Sequence, residues 1–172
     1  MSFQRALDFT LGPEIEDGYS DRSSADDPGG RTYRGISERA HPDAWAQGRP
    51  SDEMVVAIYR NHYWDPLSAD ALPFPVAVAL FDFAVNSGVA RAALELQSLV
   101  GAQPDGKIGP ATQALVAKAC KLLLGAELLA LRLIVRRHEF MLGRSNYEAN
   151  KNGWSKRLVL LNRFCVAERS SS

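Results

Sequence analysis

The chain has 172 residues, of which 46% are hydrophobic, and its 20 Lys and Arg are balanced by 20 Asp and Glu. This length suits one domain, or one domain with a small appendage, and is enough to bury a real core. The charge balance excludes a strong whole-molecule attraction to nucleic acid or to an anionic membrane. Cys120 and Cys165 lie far apart without metal-ligand spacing, so we expect two buried thiols and neither a disulfide scaffold nor a metal site.

The sequence contains no segment that reads as a signal peptide or a membrane span. Residues 1–18 have no apolar run of signal-peptide length. The apolar run from Leu122 to Val135 is interrupted by Gly125, Glu127 and Arg132, which predicts a core helix and no transmembrane helix. We therefore expect synthesis in the bacterial cytoplasm, and a separate route across the membrane if the target lies outside it.

The first third of the chain is predicted to be a helix, a long loop and a hairpin. Leu7, Leu11 and Ile15 recur at a spacing of four, which predicts a helix from Phe3 to Glu16 with a break at Gly12-Pro13. An Asp-rich loop with Gly, Pro and Ser follows, and a loop of that length is usually functional or disordered. The turn residues 27–30 and the β-branched and aromatic residues of 31–36 predict a small β-hairpin.

The rest of the chain is predicted to be helical. A short piece starting at Ser37 is expected to stop or bend at His41-Pro42, and Ser51 is a good N-cap for a helix that ends by Asp65-Pro66. Further helices are predicted over 72–88, 89–100, from Pro110, over 120–142 and over 154–168, with 144–153 as a loop and 169–172 as a disordered tail. The predicted fold class is mainly α with one small β-hairpin.

The helix predicted over 72–88 is apolar on all sides, which is typical of a buried central helix. Its two polar residues, Asp82 and Asn86, are four apart and therefore share one face. Buried polar groups must be hydrogen-bonded, so this pair indicates either a structural network or a cleft. The spacing leaves both interpretations open.

The acidic residues around the long loop suggest the chemistry of glycosidic bond cleavage. That reaction needs a proton donor at the leaving oxygen and usually a second carboxylate. Glu16 is the predicted donor, because its apolar neighbours Ile15 and Tyr19 would raise its pKa into the working range. Asp27 and Thr32 are candidates for the second carboxylate and for a hydroxyl that positions water. The competing interpretations are a solvated helix-end glutamate and ordinary turn capping.

Several motifs occur in a characteristic order from residue 14 to about residue 165. They are Glu16-Asp17-Gly18-Tyr19, Asp27-Pro28-Gly29-Gly30-x-Thr32-x-x-Gly35-Ile36, Tyr63-Trp64-Asp65, LPFPVAVALFDFAVNSG and LQSLVGAQPDGKIGPAT. In these the chain resembles glycoside hydrolase family 108, the N-acetylmuramidases of phage endolysins and of some bacterial secretion activators. Its second part resembles the peptidoglycan-binding module usually fused to them.

The resemblance implies a lysozyme-like, mostly helical fold and cleavage of the β-1,4 bond between N-acetylmuramic acid and N-acetylglucosamine. It implies Glu16 as the essential acid, while a looser similarity to phage-type lysozymes implies Asp27 and Thr32 as its partners. The sequence departs from the family pattern at Asp17, which stands in place of a Gly, and the segment before Asp27 is slightly longer than is typical. Asp21 and Asp26 therefore compete with Asp27 for the role of second carboxylate.

A muramidase also needs a groove that grips several sugars. We predict Tyr19, Tyr33, Trp64 and Asn86 in it, because aromatic faces stack on sugar rings and Asn can bond an N-acetyl group in both directions. For Tyr33 and Trp64 core packing is the alternative. A basic set is expected either to meet the negatively charged wall or to be a solvated helix face: Arg132, Arg136, Arg137, Lys151, Lys156 and Arg157.

The chain is thus interpreted as a muramidase catalytic part over 3–91 and a helical peptidoglycan-binding-like part over 92–168, separate or as one compact unit. We expect a monomer that binds peptidoglycan glycan strands, with no cofactor, no metal, no nucleic acid and no membrane insertion. The implied biology is a phage or prophage endolysin that reaches the wall through a holin lesion. A bacterial enzyme acting with an export apparatus is the alternative setting. The alternative functions are a non-catalytic wall-binding or secretion-assisting module and a lytic transglycosylase.

Overall fold

Helices and one hairpin form the regular structure of residues 2–12, 30–122 and 124–167, which are the residues that the computed structural model describes. The elements in these ranges are α1 (Ser2–Thr10), β1 (Thr32–Tyr33), β2 (Ile36–Ser37), α2 (Pro42–Trp45), α3 (Asp52–Tyr59), α4 (Phe74–Ser87), α5 (Val89–Val100), α6 (Pro110–Ala119), α7 (Gly125–Leu142) and α8 (Tyr147–Ala167). A π-helical turn (Arg60–Trp64) and two 3-10 turns (Asp65–Leu67 and Ala69–Ala71) join α3 to α4. The predicted fold class, mainly α and lysozyme-like with one small hairpin, is confirmed.

Helix α4 is the centre of the fold. All nine residues from Val76 to Ala84 are buried, as the all-round apolar sequence predicts. α1, α5, α7 and α8 pack around it. Phe3 and Trp64 extend this core on one side, with ring centroids 5.5 Å apart, and Trp64 lies 5.5 Å from Phe81. One hydrophobic core therefore holds the helices of 92–168 against those of 3–91.

Local signals explain where several helices begin and end. Ser51 caps α3, its side chain accepting a hydrogen bond of 3.2 Å from the backbone N–H of Met54. Pro75 stands in the first turn of α4, where its missing N–H costs nothing, and Gly88 ends the helix at φ +91°. The predicted start of α3 and bounds of α4 agree with the structure within two residues.

α1 ends at Thr10, next to the break predicted at Gly12-Pro13, and the remainder of that predicted helix, to Glu16, lies outside the described residues. Three other predicted boundaries differ from the structure. α2 begins at Pro42, where a helix was expected to stop or bend, because proline suits the first helical turn. α7 begins at Gly125, since Leu124 before it has a left-handed backbone at φ +63°. α8 begins at Tyr147, seven residues earlier than the predicted Trp154.

Two sequence interpretations of the second half are also only partly right. Cys165 is buried, and burial raises the pKa of its thiol to about 12, but Cys120 is half-buried. α7 was expected to be a core helix, yet Leu128, Leu131 and Val135 on it are exposed. Within the described ranges, no helix is long and apolar enough to cross a membrane.

Candidate functional site

The hairpin that carries Thr32 and Tyr33 turns through Arg34 and Gly35. Both turn residues have positive φ, +47° and +78°, as a tight two-residue hairpin turn with the right-handed strand twist requires. Thr32 pairs with Ser37, and Tyr33 pairs with Ile36, in antiparallel register. The hairpin predicted from the sequence is confirmed at the expected place.

The hairpin is fixed to the helices beneath it by buried contacts. The Tyr59 hydroxyl on α3 donates to the carbonyl of Arg34 at 2.9 Å. Gly35 lies directly against that hydroxyl, and a Cβ at this position would collide with it. Trp45 on α2 donates from Nε1 to the Ile36 carbonyl at 3.2 Å. These contacts set the height and register of β1, and with them the position of Thr32.

The outer face of the hairpin is tied to the N-terminus of α3. Tyr33 donates from its hydroxyl to Asp52 at 2.8 Å, and Arg34 pairs with the same carboxylate at 3.0 Å. The hydrogen bond from Tyr33 lowers the pKa of Asp52 most, and the one from Arg34 lowers it further. The bond between Tyr33 and Asp52 also raises the pKa of the Tyr33 hydroxyl. The guanidinium of Arg49 lies over the Tyr33 ring, 4.5 Å from its centroid. Tyr33 is therefore held in one orientation, with one ring face covered by Arg49.

Thr32 is half-buried, and among the described residues its hydroxyl makes one long contact, 3.4 Å to the carbonyl of Gly30. A contact of this length is weak. The hydroxyl can thus turn to a water or a sugar at little cost.

A buried ionic cluster holds the end of α1. Asp82 on α4 accepts hydrogen bonds from Arg137 on α7, from Arg157 on α8 at 2.5 Å and from the Thr10 hydroxyl at 3.1 Å. Arg157 also donates to the Thr10 carbonyl at 3.1 Å. Burial alone would raise the pKa of Asp82, but the two guanidiniums lower it to about 2. Thr10, the last residue of α1, is therefore hydrogen-bonded directly to α4 and α8, and Asp82 connects it to Arg137 on α7.

This cluster corrects the interpretation of the basic set. Arg137 and Arg157 were assigned to an exposed basic face, but they are only 2% and 6% exposed. Helical spacing alone predicts that these arginines lie on a solvated face. In the structure both side chains instead bind the carboxylate of Asp82, which is far away in sequence. A lone Asp in an otherwise apolar buried helix is the signal that could have found them, because such a charge needs a buried partner.

Asn86, one turn beyond Asp82, is exposed at the edge of a cavity of about 160 Å³. Its amide nitrogen donates to the Asp82 carbonyl at 2.8 Å. The cavity is lined by Asn86, Ser87, Arg137, Phe140, Met141, Arg144, Asn146 and Trp154. Both interpretations of the polar face of α4 therefore apply, the network to Asp82 and the cleft to Asn86. The sequence does not indicate Arg144 and Trp154 as lining residues, because the loop predicted over 144–153 and the helix predicted from Trp154 give no reason to place them beside Asn86.

The predicted site residues other than Trp64 fall into three groups. Glu16, Asp27 and Tyr19 lie outside the described residues, as do the alternatives Asp21 and Asp26. Thr32 and Tyr33 lie side by side on β1, whereas Asn86 lines a cavity whose lining includes no hairpin residue.

Trp64 does not have the position predicted for it. Its side chain is 0% exposed between Phe3 and Phe81, so it has no face for a sugar ring. Apolar burial of this large side chain among other rings explains the difference, and its core-packing alternative describes it correctly. In the described ranges, no three His, Cys, Asp or Glu side chains are grouped so that they could hold a metal ion.

Residues 9–88, from the end of α1 to the end of α4, match the family model Glycosyl hydrolase 108. SagA from Brucella abortus, a solved structure, is 32% identical, with a TM-score of 0.75 over 96% of this chain and 94% of that chain. The chain belongs to glycosyl hydrolase family 108. Membership of family 108 makes it a glycoside hydrolase and, with the likeness to SagA, supports hydrolysis of peptidoglycan. No curated protein sequence matches the chain.

Proposed function

We propose that the chain is an N-acetylmuramidase that hydrolyses the β-1,4 bond between N-acetylmuramic acid and N-acetylglucosamine. The match of residues 9–88 to family 108 carries this proposal, because that stretch contains Glu16, Asp27 and Thr32. The likeness to SagA covers 96% of this chain, so it includes the helices of 92–168 and supports treating them as part of the same enzyme.

In this proposal Glu16 is the general acid that gives its proton to the bridging oxygen as the glycosidic bond breaks. Asp27 is the second carboxylate, which stabilises the oxocarbenium-like transition state or activates water. Thr32 orients that water through its weakly held hydroxyl. Asp21 and Asp26 remain alternatives to Asp27.

We call residues 14–27, which contain Glu16 and Asp27, the acidic segment. The described residues on each side of it are held by hydrogen bonds to other elements, which supports a catalytic role for the segment. Thr10 is held by Arg157 and Asp82, and the hairpin is held by Tyr59. Catalytic groups must keep their geometry closely to accelerate a reaction, and rigid supports are the usual means. We further propose Tyr19, Tyr33 and Asn86 as sugar-binding residues, without Trp64.

The biological setting that we propose is that of an endolysin, made in the bacterial cytoplasm and released to the wall through a holin lesion. The resemblance of the acid and hairpin motifs to endolysins motivates it; a bacterial enzyme that works with an export apparatus is the second setting. Expression with and without a holin in the same host tests this. Lysis that does not depend on the holin would contradict the endolysin setting.

Clearing of purified cell walls, followed as turbidity, tests the catalytic proposal. Wild type is expected to clear walls, and Glu16→Gln should be slower by a factor on the order of 10²–10⁴, the usual contribution of a general acid. Glu14→Gln, which removes a carboxyl two residues away, is the matched control and should clear walls normally. Asp21→Asn, Asp26→Asn and Asp27→Asn, compared in parallel, identify the second carboxylate.

Two results would contradict the muramidase. Wild type that binds walls without clearing them would be a wall-binding module. Released fragments that end in an anhydro sugar, detected by mass spectrometry, would identify a lytic transglycosylase, because hydrolysis adds water at the reducing end.

A further inference from the structure

The cavity beside Asn86 has a composition that the proposed reaction does not use. It lies where the last turn of α4 meets the end of α7 and the start of α8, and its volume is about 160 Å³. Its described lining contains the guanidiniums of Arg137 and Arg144, the amides of Asn86 and Asn146, and the rings of Phe140 and Trp154, together with Ser87 and Met141, and none of these described residues carries a carboxylate. We call it the arginine cavity.

The arginine cavity has a positive electrostatic character. Arg137 is 2% exposed, and its Nε has no hydrogen-bond partner in the described part of the chain. Arg144 is exposed, lies over the Phe140 ring at 5.6 Å and has no carboxylate partner among the described residues. Arg137 is paired with Asp82, so Arg144 is the guanidinium of the lining whose charge no described carboxylate balances. A guanidinium in this state favours an anionic ligand, because its parallel N–H groups match the two oxygens of a carboxylate.

The other lining groups favour a carboxylate that sits next to an amide. Asn86 uses its nitrogen on α4, so its amide oxygen remains available to accept a hydrogen bond from a ligand N–H. Trp154 is half-buried and packs on Tyr147 with ring centroids 6.1 Å apart, which holds its ring in place. Sites for whole drug-sized ligands measure roughly 300–1,000 Å³, so this smaller hollow suits one terminal group of a longer chain.

We propose that the arginine cavity binds a carboxylate carried by the lactyl arm of a peptidoglycan strand, either that of the arm itself or that of the peptide attached to it. This inference rests on the proposed function. N-acetylglucosamine is neutral, whereas the lactyl arm of N-acetylmuramic acid ends in a carboxylate where it is free and in a peptide with its own carboxylates where it is amide-bonded. Arg144 meets the carboxylate at the mouth, Asn86 and Asn146 bond the adjacent amide, and Trp154 covers the apolar part of the arm.

The arginine cavity is also connected to the end of α1. Arg137 lines it and donates to Asp82, which in turn accepts from Thr10. A ligand in the arginine cavity would therefore contact the same cluster that holds Thr10, at the end of α1. The carboxylate contact would align the strand for cleavage, and it would favour peptidoglycan over uncharged N-acetylglucosamine polymers.

Binding to the full chain, measured by calorimetry or NMR titration, tests the proposal without requiring catalysis. The probes are N-acetylmuramic acid, its dipeptide conjugate and N-acetylglucosamine. The two charged probes should bind more tightly than the neutral one, and their ranking tells a free lactyl carboxylate from a peptide carboxylate. Arg144→Gln should weaken the charged probes by roughly tenfold, as the loss of a charge-assisted hydrogen bond predicts.

Arg163→Gln is the matched control, because it removes the same charge from an exposed position of α8 outside the cavity lining. It should leave binding unchanged. The proposal is overturned if the charged probes bind no better than N-acetylglucosamine, if Arg144→Gln changes nothing, or if Arg163→Gln weakens binding equally. Because binding and wall clearing are separate readouts, a chain that binds without clearing fails only as a muramidase.

Discussion

Two regions hold the described parts of the candidate site, and the ion pairs of one are exposed whereas those of the other are buried. The hairpin is tied down at its edge by exposed groups, with Arg31 paired to Glu38 at 2.7 Å and Arg34 to Asp52 at 3.0 Å. The end of α1 is instead held by the Asp82 cluster, in which every charged side chain is buried. Both arrangements fix a position next to the acidic segment, but they differ in what the loss of one group costs.

The difference follows from solvation. An exposed ion pair contributes about 0–1 kcal/mol, since water stabilises each partner once the pair is broken. A buried pair adds little net stability when complete, but removing one partner leaves a charge that water cannot reach. The exposed ties of the hairpin should therefore tolerate substitution, whereas the cluster should not.

The largest expected effect is that of Asp82→Asn. The change leaves the guanidiniums of Arg137 and Arg157 buried without their carboxylate, and we expect a loss of about 3–5 kcal/mol in the free energy of unfolding. Chemical denaturation followed by circular dichroism measures it. Asp65→Asn, which breaks the exposed pair with Arg60 at 2.9 Å, is the control and should cost about 1 kcal/mol or less. Equal losses in the two variants would contradict the distinction between buried and exposed ion pairs.

Lowering the pH should also destabilise the Asp82 cluster more than the exposed ion pairs of the hairpin. The pKa of Asp82 is lowered to about 2 in the folded chain from the ordinary value of 3.8. A group with a lowered folded pKa stabilises the fold above its unfolded pKa, and this contribution disappears as the pH falls through the folded value. The free energy of unfolding should therefore fall by about 2 kcal/mol from this group between roughly pH 5 and pH 2.

Asp52→Asn is the control for this acid titration. Asp52 is exposed, and hydrogen bonds from Tyr33 and then Arg34 lower its pKa. Unfolding curves at several pH values should keep most of their acid slope in this variant. A slope that disappears with Asp52 would assign the acid sensitivity to the hairpin instead of the cluster.

The two regions also differ in how far the sequence could predict them, because the contacts of the hairpin are near in sequence and those of the cluster are distant. Within the hairpin, contacts between residues near in sequence determine the turn, so the residue types at 31–36 were enough to locate it. The cluster joins Asp82 to Arg137 and Arg157, which are 55 and 75 residues away. Helical spacing indicates that Asp82 needs a partner, but it cannot choose that partner among the basic residues of α7 and α8.

Helix α8 illustrates a second limit. Gly and Asn around residue 150 favour a loop by local propensity, yet the helix begins at Tyr147. A tertiary contact outweighs that preference, since Tyr147 packs on His138 of α7 with ring centroids 6.3 Å apart. Arg144 and Trp154 could be recognised as lining residues only once this start was known. The predicted roles of Glu16 and Asp27 stay predictions, because both lie outside the described residues.

The smallest effect expected in this comparison is also the most local. Gly35→Ala places a Cβ on a residue with φ +78° and against the Tyr59 hydroxyl. The left-handed backbone costs an alanine about 1 kcal/mol, and the collision adds to it. Gly101→Ala is the matched control, because Gly101 has φ +72° with open space where the Cβ would lie. That substitution therefore costs only the free energy of the left-handed backbone. Thermal denaturation should place Gly35→Ala below Gly101→Ala.

A double-mutant cycle with Tyr59→Phe isolates the collision. Removing the hydroxyl leaves the ring 3.8 Å from the added Cβ, an ordinary contact, and takes a hydrogen bond from the Arg34 carbonyl. Tyr59→Phe alone should cost about 1 kcal/mol. In that background, Gly35→Ala should cost no more than Gly101→Ala, so the two changes are not additive. Additive costs would mean that the turn moves away from Tyr59 freely, and that the hairpin is not held by its buried contact but only by the exposed ties at its edge.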